Sequence, residues 1–265
     1  MIPELAALAL TVTLGTAGKP LDDTWTVYHD WRMKSANMID VGYMPTVWRN
    51  LCTEGECIGD VLEADPYPEE LRLVQVLNEP DLLGGDAAYW AAKYTDAYRE
   101  IKARAAGPTL VGGISLYWCD AEWLRKFLAE LPDDVRVEWL GVHTYMPWLS
   151  VTRYIQAAQA MLGYGVPVYV TEAGHLGAQV PSEALGYMTE LASWIADNPG
   201  LGVERVYWFM TWDPPRPDYA GWNSWAPGTV LYNGDGTLTT VGEAWRLPER
   251  EGTVYWPMVG RIGEE

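Results

Sequence analysis

Groups that would build a metal site, a disulfide framework or a membrane span are scarce in this sequence. Its 265 residues include three histidines and three cysteines. The histidines form neither a His-x-His nor a His-x-x-x-His pair, so we expect no metal site and no cofactor. No stretch reaches the ~20 apolar residues of a membrane helix. Residues 5–14 are apolar, but Glu4 precedes them and no Lys or Arg does, which argues against a signal peptide. The sequence leaves open whether the protein is secreted or cytoplasmic.

The three cysteines cannot all pair with one another. Cys52 and Cys57 bracket the segment Thr-Glu-Gly-Glu, and their spacing permits a disulfide without requiring one. Cys119 would then remain a free thiol.

Basic residues are also few, and this excludes several classes of partner. Eighteen Lys and Arg face 36 Asp and Glu, for a formal charge of −18. Such a field repels nucleic acid and acidic polymers and favours a neutral polysaccharide, although the same charge also serves solubility. The chain contains no Gly-x-Ser-x-Gly elbow and no phosphate-cradling glycine loop, which argues against an acyl-transfer hydrolase and a nucleotide-binding enzyme. We expect a monomer.

Phenylalanine is nearly missing, with two residues against 15 Trp and 16 Tyr. Aromatic rings with a polar edge suit a wet cleft in which sugar rings stack on them. The alternative for most of them is packing in the core and between helices and sheet.

Short apolar strands alternate with amphipathic helices along most of the chain, which predicts an α/β fold with a parallel sheet. The expected helices are capped by Asp86, Asp120 and Ser182. At 265 residues, one barrel of about 250 residues accounts for nearly everything, so we expect a single domain spanning 1–265. The predicted strands comprise residues 24–31, 41–48, 73–77, 109–115, 139–143, 168–171 and 206–212. An eighth, at the start, must come from residues 5–14, within an N-terminal segment (1–23) of uncertain role; residues 229–265 form a C-terminal hairpin and tail.

Two of these strands end in a glutamate. The run 73–77 leads into Asn78-Glu79-Pro80, where proline ends the strand, and the run 168–171 leads into Glu172-Ala173-Gly174. Carboxyl ends of parallel strands meet at one face, where catalytic groups lie in barrels. Paired carboxylates there predict glycoside hydrolysis, and the alternative is two structural salt bridges.

Asn78-Glu79-Pro80, Gly141-Val142-His143-Thr144-Tyr145 and Thr171-Glu172-Ala173-Gly174 together resemble the retaining glycoside hydrolases of clan A. Met44-Pro45-Thr46-Val47-Trp48 is similar to the compact endo-β-1,3-glucanases of family 128, and Asn78–Leu82 also resembles family 39. The resemblance implies a (β/α)8 TIM barrel in which Glu79 ends strand 4 as acid/base and Glu172 ends strand 7 as nucleophile. A β-glucan would be the substrate, with endo cleavage.

The same resemblance assigns substrate-binding residues. Asn78 would bind the sugar 2-hydroxyl, with a backbone cap as its alternative, and Tyr145 would donate a hydrogen bond to the nucleophile. His143 would line the cleft or orient a carboxylate, or else be a core histidine. Trp208 or Trp212 would form a platform under the sugar. Independently of the resemblance, Trp48 and Trp118 fall where strand-to-loop connections would line the cleft rim, where each either binds sugar or serves packing. His29, at the end of an early strand, would hydrogen-bond a sugar hydroxyl. A catalytically silent sugar-binding barrel and a transglycosylase remain alternatives.

Overall fold

Eight β-strands form the framework of the protein in a computed structural model. The model describes residues 12–17, 28–30, 43–47, 73–82, 86–105, 107–163, 165–209 and 226–246, with the backbone alone for residues 13, 15–17, 28–30 and 43–47. The strands are β1 (Thr13–Ala17), β2 (Tyr28–Asp30), β3 (Tyr43–Val47), β4 (Leu73–Asn78), β5 (Leu110–Leu116), β6 (Leu140–His143), β7 (Val168–Ala173) and β8 (Val203–Trp208).

Every strand pairs in parallel with the next one in the chain, and β1 pairs with β8, so the sheet closes into a barrel. The α/β class with a parallel sheet is therefore confirmed. The first strand begins near the end of the predicted stretch and continues to Ala17, pairing with β8 from Thr13 to Thr16. The last strand begins earlier than predicted, at Val203, and residues 210–212 lie outside the described part.

Five α-helices lie in the described part of the chain: α1 (Ala87–Arg104), α2 (Ala121–Ala129), α3 (Trp148–Leu162), α4 (Pro181–Asp197) and α5 (Thr240–Trp245). The carboxylates of Asp86 and Asp120 accept backbone N–H bonds at the starts of α1 and α2, as predicted. Ser182 is not a cap. Helix α4 begins one residue earlier with proline, and the Glu183 carboxylate accepts the N–H of Gln179 at 2.6 Å. None of these helices is long and apolar enough to cross a bilayer.

Strand alternation divides the core into two layers, because successive side chains point to opposite faces. In β8, Val206 and Trp208 belong to the cluster shared with the helices, while Tyr207 belongs to a second cluster with Leu73 and Tyr169. That second cluster fills the barrel interior.

The segment after the barrel forms the predicted hairpin. Tyr232 and Leu238 pair antiparallel across a turn in which the Gly236 N–H donates to the Asn233 carbonyl oxygen at 2.9 Å. Helix α5 follows it and ends with Trp245, whose ring is fully buried. This segment therefore packs against the core that lies between the barrel and its helices.

Candidate active site

Four polar side chains meet where three parallel strands end. Asn78 is the last residue of β4 and Glu79 follows it, His143 is the last residue of β6, and Glu172 lies near the end of β7. Their common position follows from parallel pairing, since it brings the carboxyl ends of all strands to one face.

His143 lies between the two glutamates. Its Nδ1 is 2.8 Å from Glu79 Oε1, a hydrogen bond, and its Nε2 is 3.6 Å from Glu172 Oε1. The His143 ring is wholly buried, while 17% of the Glu79 side chain and 5% of the Glu172 side chain are exposed. The pKa of His143 lies above its ordinary value: burial alone would lower it, but the charge of Glu172 and the hydrogen bond to Glu79 raise it. The two carboxylates therefore make the protonated form of this imidazole easier to reach than it is in water.

Glu172 has two further partners. The Tyr145 hydroxyl donates to Glu172 Oε2 at 2.8 Å, and Asn78 Nδ2 donates to Oε1 at 3.5 Å. Burial and the neighbouring Glu172 charge place the pKa of Tyr145 well above its usual range, so its hydroxyl remains a donor. Donors on both oxygens stabilise the ionised form of Glu172.

The backbone at the end of β4 adopts a conformation that ordinary residues rarely use. Leu77 and Glu79 have φ values of 69° and 50°, in the left-handed region, on either side of Asn78. Each such residue costs on the order of 1–3 kcal/mol. The Glu79 N–H donates to the Ser115 carbonyl oxygen at 2.7 Å, which helps to hold this conformation. Glu79 thus stands on strained backbone, and Asn78 lies between two strained residues.

Asp81 joins the ends of β4 and β5. Its carboxylate accepts the backbone N–H groups of Tyr117 at 3.0 Å and Trp118 at 2.8 Å. Burial raises the pKa of Asp81, and these two backbone hydrogen bonds oppose that shift. The carboxylate fixes the loop that carries Trp118 relative to Glu79.

One ligand atom each from Glu79, His143 and Glu172 lies within 4.8 Å of the others, a spacing that a metal ion could also use. The 2.8 Å separation of His143 Nδ1 and Glu79 Oε1 is that of a direct hydrogen bond. The geometry therefore favours proton sharing between these side chains.

The predicted aromatic residues have different environments. Trp118 is 52% exposed on the loop after β5. Trp208 does not form a platform, because strand alternation places it on the outer face of the barrel. There it is fully buried against Tyr187 and Trp245, and its indole N–H donates to the Thr229 carbonyl oxygen. The interior position at the end of β8 belongs instead to Phe209, whose ring meets the Tyr145 ring edge-on at 6.3 Å.

Several predicted residues lie outside the described part of the structure. They are Trp48, Trp212, and the pair Cys52 and Cys57. His29 lies in β2, but its side chain is not described. Cys119 is a free thiol, as predicted, and burial raises its pKa to about 12.

The sequence of residues 13–245 matches the family model described as the glycosyl hydrolase catalytic core. The chain belongs to this family. It is accordingly a glycoside hydrolase, and the resemblance predicted from its motifs is confirmed. By sequence alone, no curated protein matches it.

Solved structures of glycoside hydrolase family 128 share the fold. An endo-β-1,3-glucanase of subgroup II from Sorangium cellulosum superposes with a TM-score of 0.57 and 18% identity, over 88% of this chain and 97% of that one. A curdlan-specific exo-β-1,3-glucanase of subgroup III from Blastomyces gilchristii, solved with glucose, gives 0.57 and 20%, over 88% and 97%. An oligosaccharide-binding protein of subgroup VII from Cryptococcus neoformans gives 0.64 and 14%, over 90% and 94%.

Sequence reasoning missed Asp81 and Phe209 as parts of this site. Asp81 stands in the quoted motif, but its partners are backbone N–H groups on the loop after β5, and such groups leave no trace in side-chain identity. Phe209 was missed because it follows a run of apolar residues, in which composition does not reveal the face that each side chain occupies.

Proposed function

We propose that this glycoside hydrolase cleaves a neutral β-glucan, with β-1,3-glucan as the first candidate, by double displacement with retention of configuration. The spacing of the carboxylates carries the proposal. An oxygen of Glu79 and an oxygen of Glu172 lie within 4.8 Å of one another. Retaining enzymes hold their carboxyl groups about 5–5.5 Å apart, whereas inverting enzymes need about 6.5–9.5 Å to admit a water molecule.

In the first step, Glu79 donates its proton to the glycosidic oxygen as the bond from that oxygen to the anomeric carbon breaks. A carboxylate oxygen of Glu172 attacks the anomeric carbon and forms a glycosyl ester. In the second step, Glu79 removes a proton from a water molecule, whose oxygen attacks the same carbon. Glu172 then departs as a carboxylate, and two inversions give net retention.

Glu172 is the better nucleophile of the two because hydrogen bonds stabilise its negative charge more fully. Tyr145 and Asn78 donate to its two oxygens, whereas Glu79 shares a proton with His143 across 2.8 Å. The two carboxylates thus have different environments, which is how paired acids acquire separate roles.

His143 serves as the positioning residue between them. When Glu79 holds its proton, that proton can be donated to Nδ1, and the Nε2–H then faces Glu172. When Glu79 is ionised after the first step, a ring that carries a proton on both nitrogens donates its Nδ1–H to the carboxylate. The 2.8 Å spacing between Nδ1 and Glu79 Oε1 suits either direction of donation, so the buried ring need not move.

Asn78 would bind the 2-hydroxyl of the sugar at the cleavage point, since its amide reaches toward the nucleophile, as this contact requires. The exposed ring of Trp118, whose backbone N–H donates to Asp81, would stack on a sugar further along the glucan. A charge of −18 favours a neutral chain over an acidic one. We infer a single catalytic domain spanning residues 1–265, and endo cleavage.

Binding without turnover is the second candidate, because some proteins of the same fold are oligosaccharide-binding proteins. The complete arrangement of Glu79, His143 and Glu172 argues against it, since binding alone does not require two carboxylates on either side of one buried imidazole.

The test is reducing-sugar release from β-1,3-, β-1,4- and mixed-linkage glucans, xylan and mannan, with the anomer of the first product followed by NMR. We expect activity on the β-1,3-glucan and a β-configured product. An α-configured first product would contradict retention. Binding without any release on the whole panel would favour the binding protein.

A further inference from the structure

The barrel interior directly beneath the site contains a buried amide with a clear hydrogen-bonding direction. Gln75 is fully buried in the middle of β4. Its Nε2 lies 2.9 Å from Asn78 Oδ1 and 3.3 Å from the Leu77 carbonyl oxygen. Its Oε1 is buried and lacks a hydrogen-bond partner within the described residues.

These contacts determine which way both amides face. A carbonyl oxygen can only accept, so the end of Gln75 that faces Leu77 must be the NH2 group. The same NH2 group then donates to Asn78, and the atom of Asn78 that faces it must be the oxygen. The amide nitrogen of Asn78 is consequently left pointing at Glu172 Oε1, 3.5 Å away. The orientation of the Gln75 amide therefore determines the orientation of the Asn78 amide.

The surroundings indicate that this position is occupied for its polarity. A buried acceptor without a partner is unfavourable, so packing alone would select an apolar side chain at position 75. Room for the side chain comes from Gly113 on β5, which has a φ of 100°. A Cβ there would lie 2.6 Å from Gln75 Cγ. The absence of a side chain at position 113 on the neighbouring strand thus leaves the space that the Gln75 amide occupies.

We propose that Gln75 is a positioning residue that locks the Asn78 amide with its nitrogen toward Glu172 and the substrate 2-hydroxyl. The inference rests on the function proposed above. Without this donor, Asn78 could rotate by half a turn and present its oxygen to the carboxylate. Donation to the 2-hydroxyl oxygen in the transition state would then be lost.

Two variants test the inference. Gln75→Glu keeps the shape but replaces the donor with an acceptor, and Gln75→Met keeps the approximate volume without any donor. Both are assayed on 4-nitrophenyl β-laminaribioside and on its analogue whose glucose next to the nitrophenyl group lacks the 2-hydroxyl. The readout is kcat/KM for the substrate with the 2-hydroxyl divided by kcat/KM for the analogue without it. Loss of one hydrogen bond to a charged or transition-state group should lower that ratio about ten- to hundredfold.

Two comparisons separate positioning from general damage to the barrel. Asn78→Ala should lower the ratio as much as the Gln75 variants, and the double variant should lower it no further, because both act through one contact. Ser115→Ala removes a different buried polar contact, the 2.6 Å bond between its hydroxyl and the Thr171 hydroxyl. It should affect both substrates equally.

The inference is overturned if the Gln75 variants keep the wild-type ratio, or if their effects add to that of Asn78→Ala. Glu172→Gln is assayed alongside to separate a failure of the Gln75 role from a failure of the proposed function. If Glu172→Gln stays active, the proposed function itself fails. Neutron diffraction from wild-type crystals exchanged into heavy water gives an answer even if no variant folds. We expect deuterium on the Asn78 atom that faces Glu172, and deuterium on the atom facing Gln75 would overturn the inference.

Discussion

Replacing Tyr145 by phenylalanine would test how strongly the site depends on the support of Glu172. The hydroxyl donates to Oε2 at 2.8 Å, whereas Asn78 and His143 approach the other oxygen at 3.5 and 3.6 Å. The substitution therefore removes the shortest of these three contacts and leaves both longer ones in place.

The size of the effect follows from the chemistry of the bond. A hydrogen bond to a charged group contributes about 1.5–3 kcal/mol, which corresponds to about a ten- to 150-fold change in rate. The second step should bear most of this loss, since Glu172 must then depart as a carboxylate. The glycosyl-enzyme should accumulate, so kcat and KM should fall together.

Burst kinetics with 2,4-dinitrophenyl β-laminaribioside measure this directly, because that leaving group makes the first step fast. Tyr94→Phe is the matched control. Its hydroxyl donates to the Arg136 carbonyl oxygen, also at 2.8 Å, but near the start of β5 at the opposite end of the barrel. We expect a lower unfolding temperature and an unchanged kcat for this control. A Tyr145→Phe enzyme within twofold of wild type, or one with raised KM and unchanged kcat, would refute the reasoning.

Further predictions concern the cleft, pH dependence and packing. Trp118→Ala should lower kcat/KM for a pentasaccharide by about tenfold and leave kcat/KM for an aryl disaccharide nearly unchanged, so that kcat/KM rises less with chain length. A flat wild-type profile would contradict an extended cleft. Since folding raises the pKa of His143, its contribution to stability should be complete below about pH 6.5 and lost as pH rises through the folded-state pKa. Unfolding temperatures against pH should show this fall in wild type and less of it in His143→Gln. A Cβ at Gly141 would clash with Ser115 Oγ, whereas one at Gly186 in α4 meets nothing within 4 Å. Gly141→Ala should cost about 1–3 kcal/mol in denaturant unfolding, and Gly186→Ala should add about 0.5–1 kcal/mol; equal effects would be contrary evidence.

The order of strands and the strand ends that carry Glu79 and Glu172 could be predicted from the sequence. Both depend on local signals: apolar runs of strand length, a terminating proline, and capping aspartates before the helices. Strands β4 to β7 accordingly begin within one residue of their predicted starts.

The packing direction of Trp208 and the helix start near Ser182 could not be predicted. The buried end of β8, from Val206 to Trp208, is apolar or aromatic on both faces, so composition does not reveal which face a side chain occupies. Only the register against β7 and β1 places Trp208 outside and Tyr207 inside.

The contacts that connect the site also escape sequence reasoning. The left-handed backbone at Leu77 and Glu79 carries no glycine to mark it. The bond from Gln75 to Asn78 depends on that same irregular end of β4, because a regular strand would place residues three apart on opposite faces. Motifs reveal which groups a site contains, whereas their orientation depends on backbone strain and the barrel interior.

The most direct test of the central claim is identification of the covalent intermediate. A 2-deoxy-2-fluoro β-laminaribiosyl fluoride should glycosylate the enzyme as its C1–F bond breaks. The glycosyl-enzyme should then hydrolyse slowly, because the fluorine at C2 destabilises both transition states while fluoride leaves readily. Intact-mass analysis followed by peptide sequencing locates the label. We expect one glycosyl group per chain, on Glu172, and none on the Glu172→Gln variant. A label on Glu79, or turnover of natural glucan by an enzyme that never becomes labelled, would contradict it.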